Sequence, residues 1–175
     1  MKDKQQKIVV IGGGTGSFVL LSGLKQYPVE LTAIVPVTDD GGSTGRLRDE
    51  FGFLPVGDMR QCLAALASEN GLLRQLLLYR FEKGEGLRGH NLGNLILTAL
   101  EDLVGSEPEA IEAAAKIFRL KGKVLPISSQ LVKLVAEYST GKKIISEHNI
   151  ETYKLKENET IRKLYTTPKA SINPK

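Results

Sequence analysis

The run Lys7-Ile8-Val9-Val10-Ile11 ends directly on Gly12-Gly13-Gly14-Thr15-Gly16. A β-branched run that stops at glycine reads as a buried parallel strand. The apolar segment Ser17 to Leu24 then reads as a helix ending near Tyr27-Pro28, and Leu31-Thr32-Ala33-Ile34-Val35 as a second strand. Strand, glycine turn, helix and strand within about 30 residues make a βαβ unit. That unit directs the chain to an α/β fold with a partly parallel sheet.

The chain has 175 residues, which suits one domain with a sizeable core. Lys plus Arg exceed Asp plus Glu by 24 to 20. The excess suits a phosphate-bearing ligand and is too small and scattered for a nucleic-acid surface. The most basic stretch, with Lys121, Lys123, Lys142 and Lys143, reads as a solvated face. A single cysteine, Cys62, excludes an internal disulfide framework and a cysteine-based zinc site, and fits a reducing compartment. The apolar run near the N-terminus is too short for a signal peptide, and nothing approaches the roughly 18 apolar residues of a membrane span. A cytoplasmic protein is expected.

Helices are expected after the second strand. Asp58 can cap one through MRQCLAALASEN, with Leu63, Leu66 and Ala67 on one face. Another covers Leu72 to Phe81. Leu92, Leu95, Ile96, Ala99, Leu100 and Leu103 recur at helical steps, with Asn91 as the cap. Ser106-Glu107-Pro108-Glu109 is a capping box opening a helix through Phe118. After Gly122, Val132 to Tyr138 and Lys143 to Ser146 read as a hairpin, and Tyr153, Leu155, Ile161 and Leu164 continue the pattern. The expected organisation is 1–122 as the nucleotide-binding part, 123–167 as a small β-lobe, and 168–175 as a linker.

Four clusters carry chemistry. Gly12, Gly13, Gly14, Thr15 and Gly16 open a helix, where free N–H groups and the helix dipole favour a phosphate. Ser17 stands where the dinucleotide fingerprint has its third small residue, and no Gly-Lys-Ser/Thr end of a P-loop follows. Asp39 and Asp40 lie just past the second strand, at the carboxyl edge where open α/β sheets bind ligands. Gly41, Gly42, Ser43, Thr44 and Gly45, with Arg46 and Arg48, make a second anion-binding loop there. Asp58 and Arg60 start one helix, and His90, Asn91 and Asn94 another; for Asp58 a helix cap is the stronger reading, and a cap is also the plain reading of Asn91. No nucleophile–base triad or transition-metal spacing is recognisable.

IGGGTGSFVLLSGLK, VTDDGGSTGRLRDEFGFLPVGDMRQCLAAL and GHNLGNLILTAL together resemble the YvcK/CofD-like proteins, in particular their gluconeogenesis-factor (GlmR) branch. The resemblance covers at least residues 7 to 105. It implies a Rossmann-like α/β fold, with helices on both faces of the sheet and a ligand site at the strands' carboxyl edge. It adds Thr38 to the candidate site, and implies UDP-N-acetylglucosamine as the ligand. The implied role is regulatory and without turnover: cell shape, and supply of cell-wall precursors during gluconeogenic growth through a protein partner. The sister branch transfers a phospholactyl group from a nucleotide diphosphate, and that alternative requires a divalent cation at the Asp pair. A NAD-linked oxidoreductase fits less well because of Ser17. Family members continue for well over a hundred further residues, so the resemblance implies that part of the site lies outside this stretch. Self-association is left open.

Overall fold

β1 (Gln6–Ile11), α1 (Thr15–Leu24) and β2 (Val29–Val35) form the βαβ unit that the sequence demands. The computed structural model describes residues 5–53, 55–68 and 71–174. β1 and β2 pair in parallel from Gln6 opposite Val29 to Ile11 opposite Ile34. The third strand of this sheet, β3 (Lys123–Pro126), adds to β2 in parallel, with Thr32 opposite Lys123. The sheet therefore reaches past residue 122 and takes in the first residues that the sequence reading gives to the lobe.

Between β2 and β3 run α2 (Gly42–Phe51), α3 (Gly57–Leu66), α4 (Gly71–Leu78), α5 (Leu92–Val104) and α6 (Glu107–Ile117). α2 corrects an expectation, because its glycines and hydroxyls read as a loop. Each interior glycine costs a helix about 1 kcal/mol. Gly45 is nevertheless required, since a Cβ there would strike the carbonyl oxygen of Asp40. Thr44 and Leu47, three residues apart, turn their buried side chains inward, and α2 packs on α5. α4 stops at Leu78 rather than Phe81, and Arg80 instead pairs with Asn91 as an isolated bridge. α3 ends at Leu66, and Glu69 and Asn70 of the expected helix lie outside the described residues.

Successive connections in the order β1-β2-β3 advance in one direction, so right-handed crossovers put their helices on the same face. Burial agrees. Val10, Leu31, Ala33, Val35 and Val124 form one core with Leu21 of α1, Leu63 and Leu66 of α3, and Ile111 and Ala114 of α6. Each fully buried leucine of this kind contributes about 1.5–3 kcal/mol. The chain thus has the expected mixed α/β class, with helices flanking the parallel sheet. Among the described residues they cover one of its two faces; the residues that alternate with the core, such as Val9 and Ile11, stay exposed.

The lobe is a second sheet, with β4 (Lys133–Tyr138) between β5 (Lys143–Ile145) and β6 (Ile161–Thr167), both antiparallel to it. α7 (Glu147–Thr152) follows β5. The terminal segment is tied back rather than free. Ser171 N donates to Gln130 Oε1 at 2.8 Å, and Asn173 N to the Ile127 carbonyl at 2.9 Å. No helix among the described residues is long and apolar enough to cross a membrane.

Candidate ligand-binding site

The glycine turn sits at the carboxyl end of β1, with Gly12 N donating to the Ile34 carbonyl at 2.9 Å. Gly12 has φ +144° and Ser17 Oγ lies 2.6 Å from where its Cβ would be, so only glycine fits. α1 starts at Thr15 without a side-chain cap. The space beside Gly14 and Gly16 is open, and Thr15 between them is exposed. An uncapped helix start with a clear approach can hold a phosphate on its N–H groups.

The acidic wall faces this turn. Asp58, in the first turn of α3, lies against Gly13, where a Cβ would collide with its carboxylate. It does not cap α3, whose N-cap position is Val56, so the sequence expectation of a cap is corrected. Burial, with Asp39 and Glu147 close by, raises the Asp58 carboxyl to about 6, while Arg60 pulls the other way. Asp39 Oδ1 accepts from Gly41 N at 3.0 Å. Its other oxygen, together with the Thr44 hydroxyl, fills the space that a Cβ at Gly57 would take. Asp40 Oδ1 accepts from His148 N at 2.9 Å, and Thr38 Oγ1 donates to Glu147 Oε2 at 2.6 Å. The adjacent aspartates therefore do different jobs, one shaping its own loop and one holding α7.

Glu147 and His148 are site neighbours that sequence reasoning missed. Ser146 accepts from Asn149 N at 3.4 Å, which marks a helix start, but nothing local ties that start to Asp40.

Arg60, Asn91 and Asn94 lie behind the wall, all buried. Arg60 Nε donates to Asn94 Oδ1 at 2.9 Å, and its Nη1 to the Leu77 carbonyl at 3.3 Å. Burial lowers the affinity of Arg60 for its proton, with Arg80 adding to the effect. Asn91 caps α5 by accepting from Asn94 N, and Asn94 Nδ2 reaches Thr44 Oγ1 at 3.5 Å. This network braces α2, α3 and α5 against each other. Arg46 and His90 form a rim: Gly89, at φ +82°, leaves room for the Arg46 guanidinium. Burial, then Arg46, lowers the His90 pKa. The side chains of Ser43 and Arg48 lie outside the described residues, and Gly42 contributes only backbone to α2. Cys62, with its thiol pushed up to about 12 by burial, is inert packing beneath the glycine turn.

Asp39 and Asp40 each commit an oxygen to a backbone N–H, and no three metal-ligating side chains converge among the described residues. A cavity of about 740 Å³ lies at the opposite, amino end of the strands, between Tyr27, Leu31 and Lys123. Ligands of open α/β sheets bind at the carboxyl ends, so the glycine edge is the candidate site.

A family model described as 2-phospho-L-lactate transferase CofD matches residues 8–175. The chain belongs to the CofD family. Relatives within that family are called gluconeogenesis factors. A putative gluconeogenesis factor from Nostoc sp. is 55% identical over 144 residues, which are 82% of this chain and 32% of that protein. The gluconeogenesis factor of Halalkalibacterium halodurans is 45% identical, covering 95% of this chain and 50% of its own length. That of Bacillus subtilis is 44% identical, covering 98% and 52%. The crystal structure of a Bacillus halodurans protein superposes with a TM-score of 0.91 at 42% identity, over 98% of this chain and 54% of that one. This CofD-family chain thus spans between about a third and about a half of the length of these relatives.

Proposed function

We propose that the glycine edge binds a nucleotide sugar, UDP-N-acetylglucosamine, and that the chain acts in the cytoplasm as a gluconeogenesis factor. In this reading the protein is regulatory and without turnover, and it governs cell shape and cell-wall precursor supply through a protein partner. The diphosphate rests on the N–H groups of Gly14, Thr15 and Gly16. Asp40 and Asp58 accept hydrogen bonds from sugar or ribose hydroxyls, and Arg46 and His90 close the rim. The observation that carries the reading is the open, uncapped start of α1 facing a wall of carboxylates. One wall suits an anion and the other suits hydroxyls, the two halves of a nucleotide sugar. The names of relatives 44–55% identical support the regulatory role.

The description of the family model favours a second reading, phospholactyl transfer from a nucleotide diphosphate. Calorimetric titration separates the two. Saturable binding of UDP-N-acetylglucosamine without product supports the regulator. Silence toward it, with turnover of a guanylyl-phospholactate donor in the presence of a divalent cation, supports the transferase.

A further inference from the structure

A buried carboxylate is costly unless hydrogen bonds or an opposite charge compensate it. α5 ends at Gly105, which takes φ +84° and donates its N–H to the Glu101 carbonyl. The reversal there brings Glu101 of α5 and Glu107, the first residue of α6, to one cavity. Glu101 is 9% exposed and Glu107 6%. Glu101 Oε2 and both Glu107 oxygens have no hydrogen-bond partner. The charge felt at Glu107 is that of Glu101, and no basic group among the described residues offsets it. The cavity holds about 430 Å³ and is also lined by Ser106, Pro108, Ser129 and Leu131. Ser106 makes no side-chain cap bond to α6, which leaves its hydroxyl to the cavity.

We propose that this cavity is a binding site for a small guanidino compound. Facing carboxylates without partners call for positive charge and for N–H donors. A guanidinium carries five donors in a planar fork. Two parallel donors match the two oxygens of Glu107, a third matches Glu101 Oε2, and the last two match the hydroxyls of Ser106 and Ser129. A primary ammonium has three donors set as a tripod, and cannot grip one carboxylate side-on. A bare metal ion would leave most of the 430 Å³ to water. A volume above about 300 Å³ suits a whole small molecule, and Pro108 and Leu131 give its stem an apolar wall. Burial holds the carboxyl protons up to about 7 on Glu101 and about 8 on Glu107, so pairing with the guanidinium releases them to solvent. Asn91 caps the start of α5, and Glu101 stands ten residues on (101 minus 91), about 15 Å along the axis. The cavity is therefore separate from the glycine edge, and the inference does not rest on the nucleotide-sugar reading.

The test titrates agmatine and methylguanidine separately into this chain by calorimetry at about pH 6.5, in buffers of different ionisation enthalpy. Saturable one-to-one binding of both is expected, with about one to two protons released per ligand. Glu107→Gln and Glu101→Gln keep the side chain's size and remove its charge, so circular dichroism should match the parent. Each should weaken binding at least about tenfold, as loss of a charge-assisted hydrogen bond does. Glu157→Gln, at an exposed carboxylate in the lobe, should bind as the parent does. Three outcomes overturn the proposal: no saturable binding of either probe, equal affinity in folded Glu107→Gln, or calcium ion binding there more tightly than the probes. If the peptide acetyl-Gly-Arg-Gly-amide binds and the two small probes do not, the guanidinium belongs to a polypeptide and the small-molecule ligand is overturned.

Discussion

The Asp58 carboxylate occupies the space that a side chain at Gly13 would need. The first glycine cluster and the third helix are therefore fitted to each other across 45 residues of sequence (58 minus 13). Gly13→Ala forces Asp58 away and should cost about 1–3 kcal/mol, the usual range for overpacking. In an Asp58→Gly background the same substitution should cost at least about 1 kcal/mol less. Denaturant unfolding of the four proteins of this cycle measures the coupling. Additive effects would mean that the close approach carries no energy.

Asp40 separates ligand binding from folding. Asp40→Asn retains an oxygen to accept from His148 N but removes the charge. Affinity for UDP-N-acetylglucosamine should fall by about 1–3 kcal/mol while the melting temperature hardly moves. Calorimetry and thermal melts report the two effects independently. Unchanged affinity would confine Asp40 to holding α7.

Arg60 gives the opposite pattern. Arg60→Met fills similar volume but strands Asn94 Oδ1 and the Leu77 carbonyl, both buried acceptors of its hydrogen bonds. A loss of about 2–4 kcal/mol in unfolding free energy is expected from two stranded acceptors. A variant as stable as the parent would show that water or a rearranged side chain replaces the guanidinium.

Local signals made much of this architecture legible. β1, the glycine turn, α1 and β2 follow from β-branched runs broken by glycine, and α5 from its spacing and the Asn91 cap. The buried side of α5 was less legible. Asn94, Leu97, Thr98 and Glu101 face inward, while Leu103 of the apolar stripe is exposed. α2 was misread because its glycines answer to tertiary neighbours, Asp40 for Gly45, and not to local propensity. Glu147 and His148 were invisible because their partners Thr38 and Asp40 lie more than a hundred residues away (109 and 108). The open face follows from strand order, which no local pattern encodes.

The last prediction concerns two carboxyls with no part in the site. Both Glu107 oxygens and Glu101 Oε2 are buried without a hydrogen-bond partner, beside a cavity lined by Ser106 and Ser129. Burial raises Glu101 to about 7 and Glu107 to about 8 from an ordinary value of 4.5, and Glu101 adds to the effect on Glu107. The sign follows from linkage. A folded-state value above the unfolded one means that the native state holds the proton more tightly. The stabilising contribution is complete below the unfolded value, near pH 4.5, and is lost as pH rises through about 7 and 8. Denaturant midpoints should therefore fall between about pH 5 and about pH 9. Glu107→Leu removes the buried charge and should raise stability by about 1–3 kcal/mol at the alkaline end. Its gain near pH 5 should be smaller, because the carboxyl is already neutral there. Midpoints that stay flat across this range, or a Glu107→Leu gain independent of pH, would mean that a cation or a basic side chain neutralises the pair.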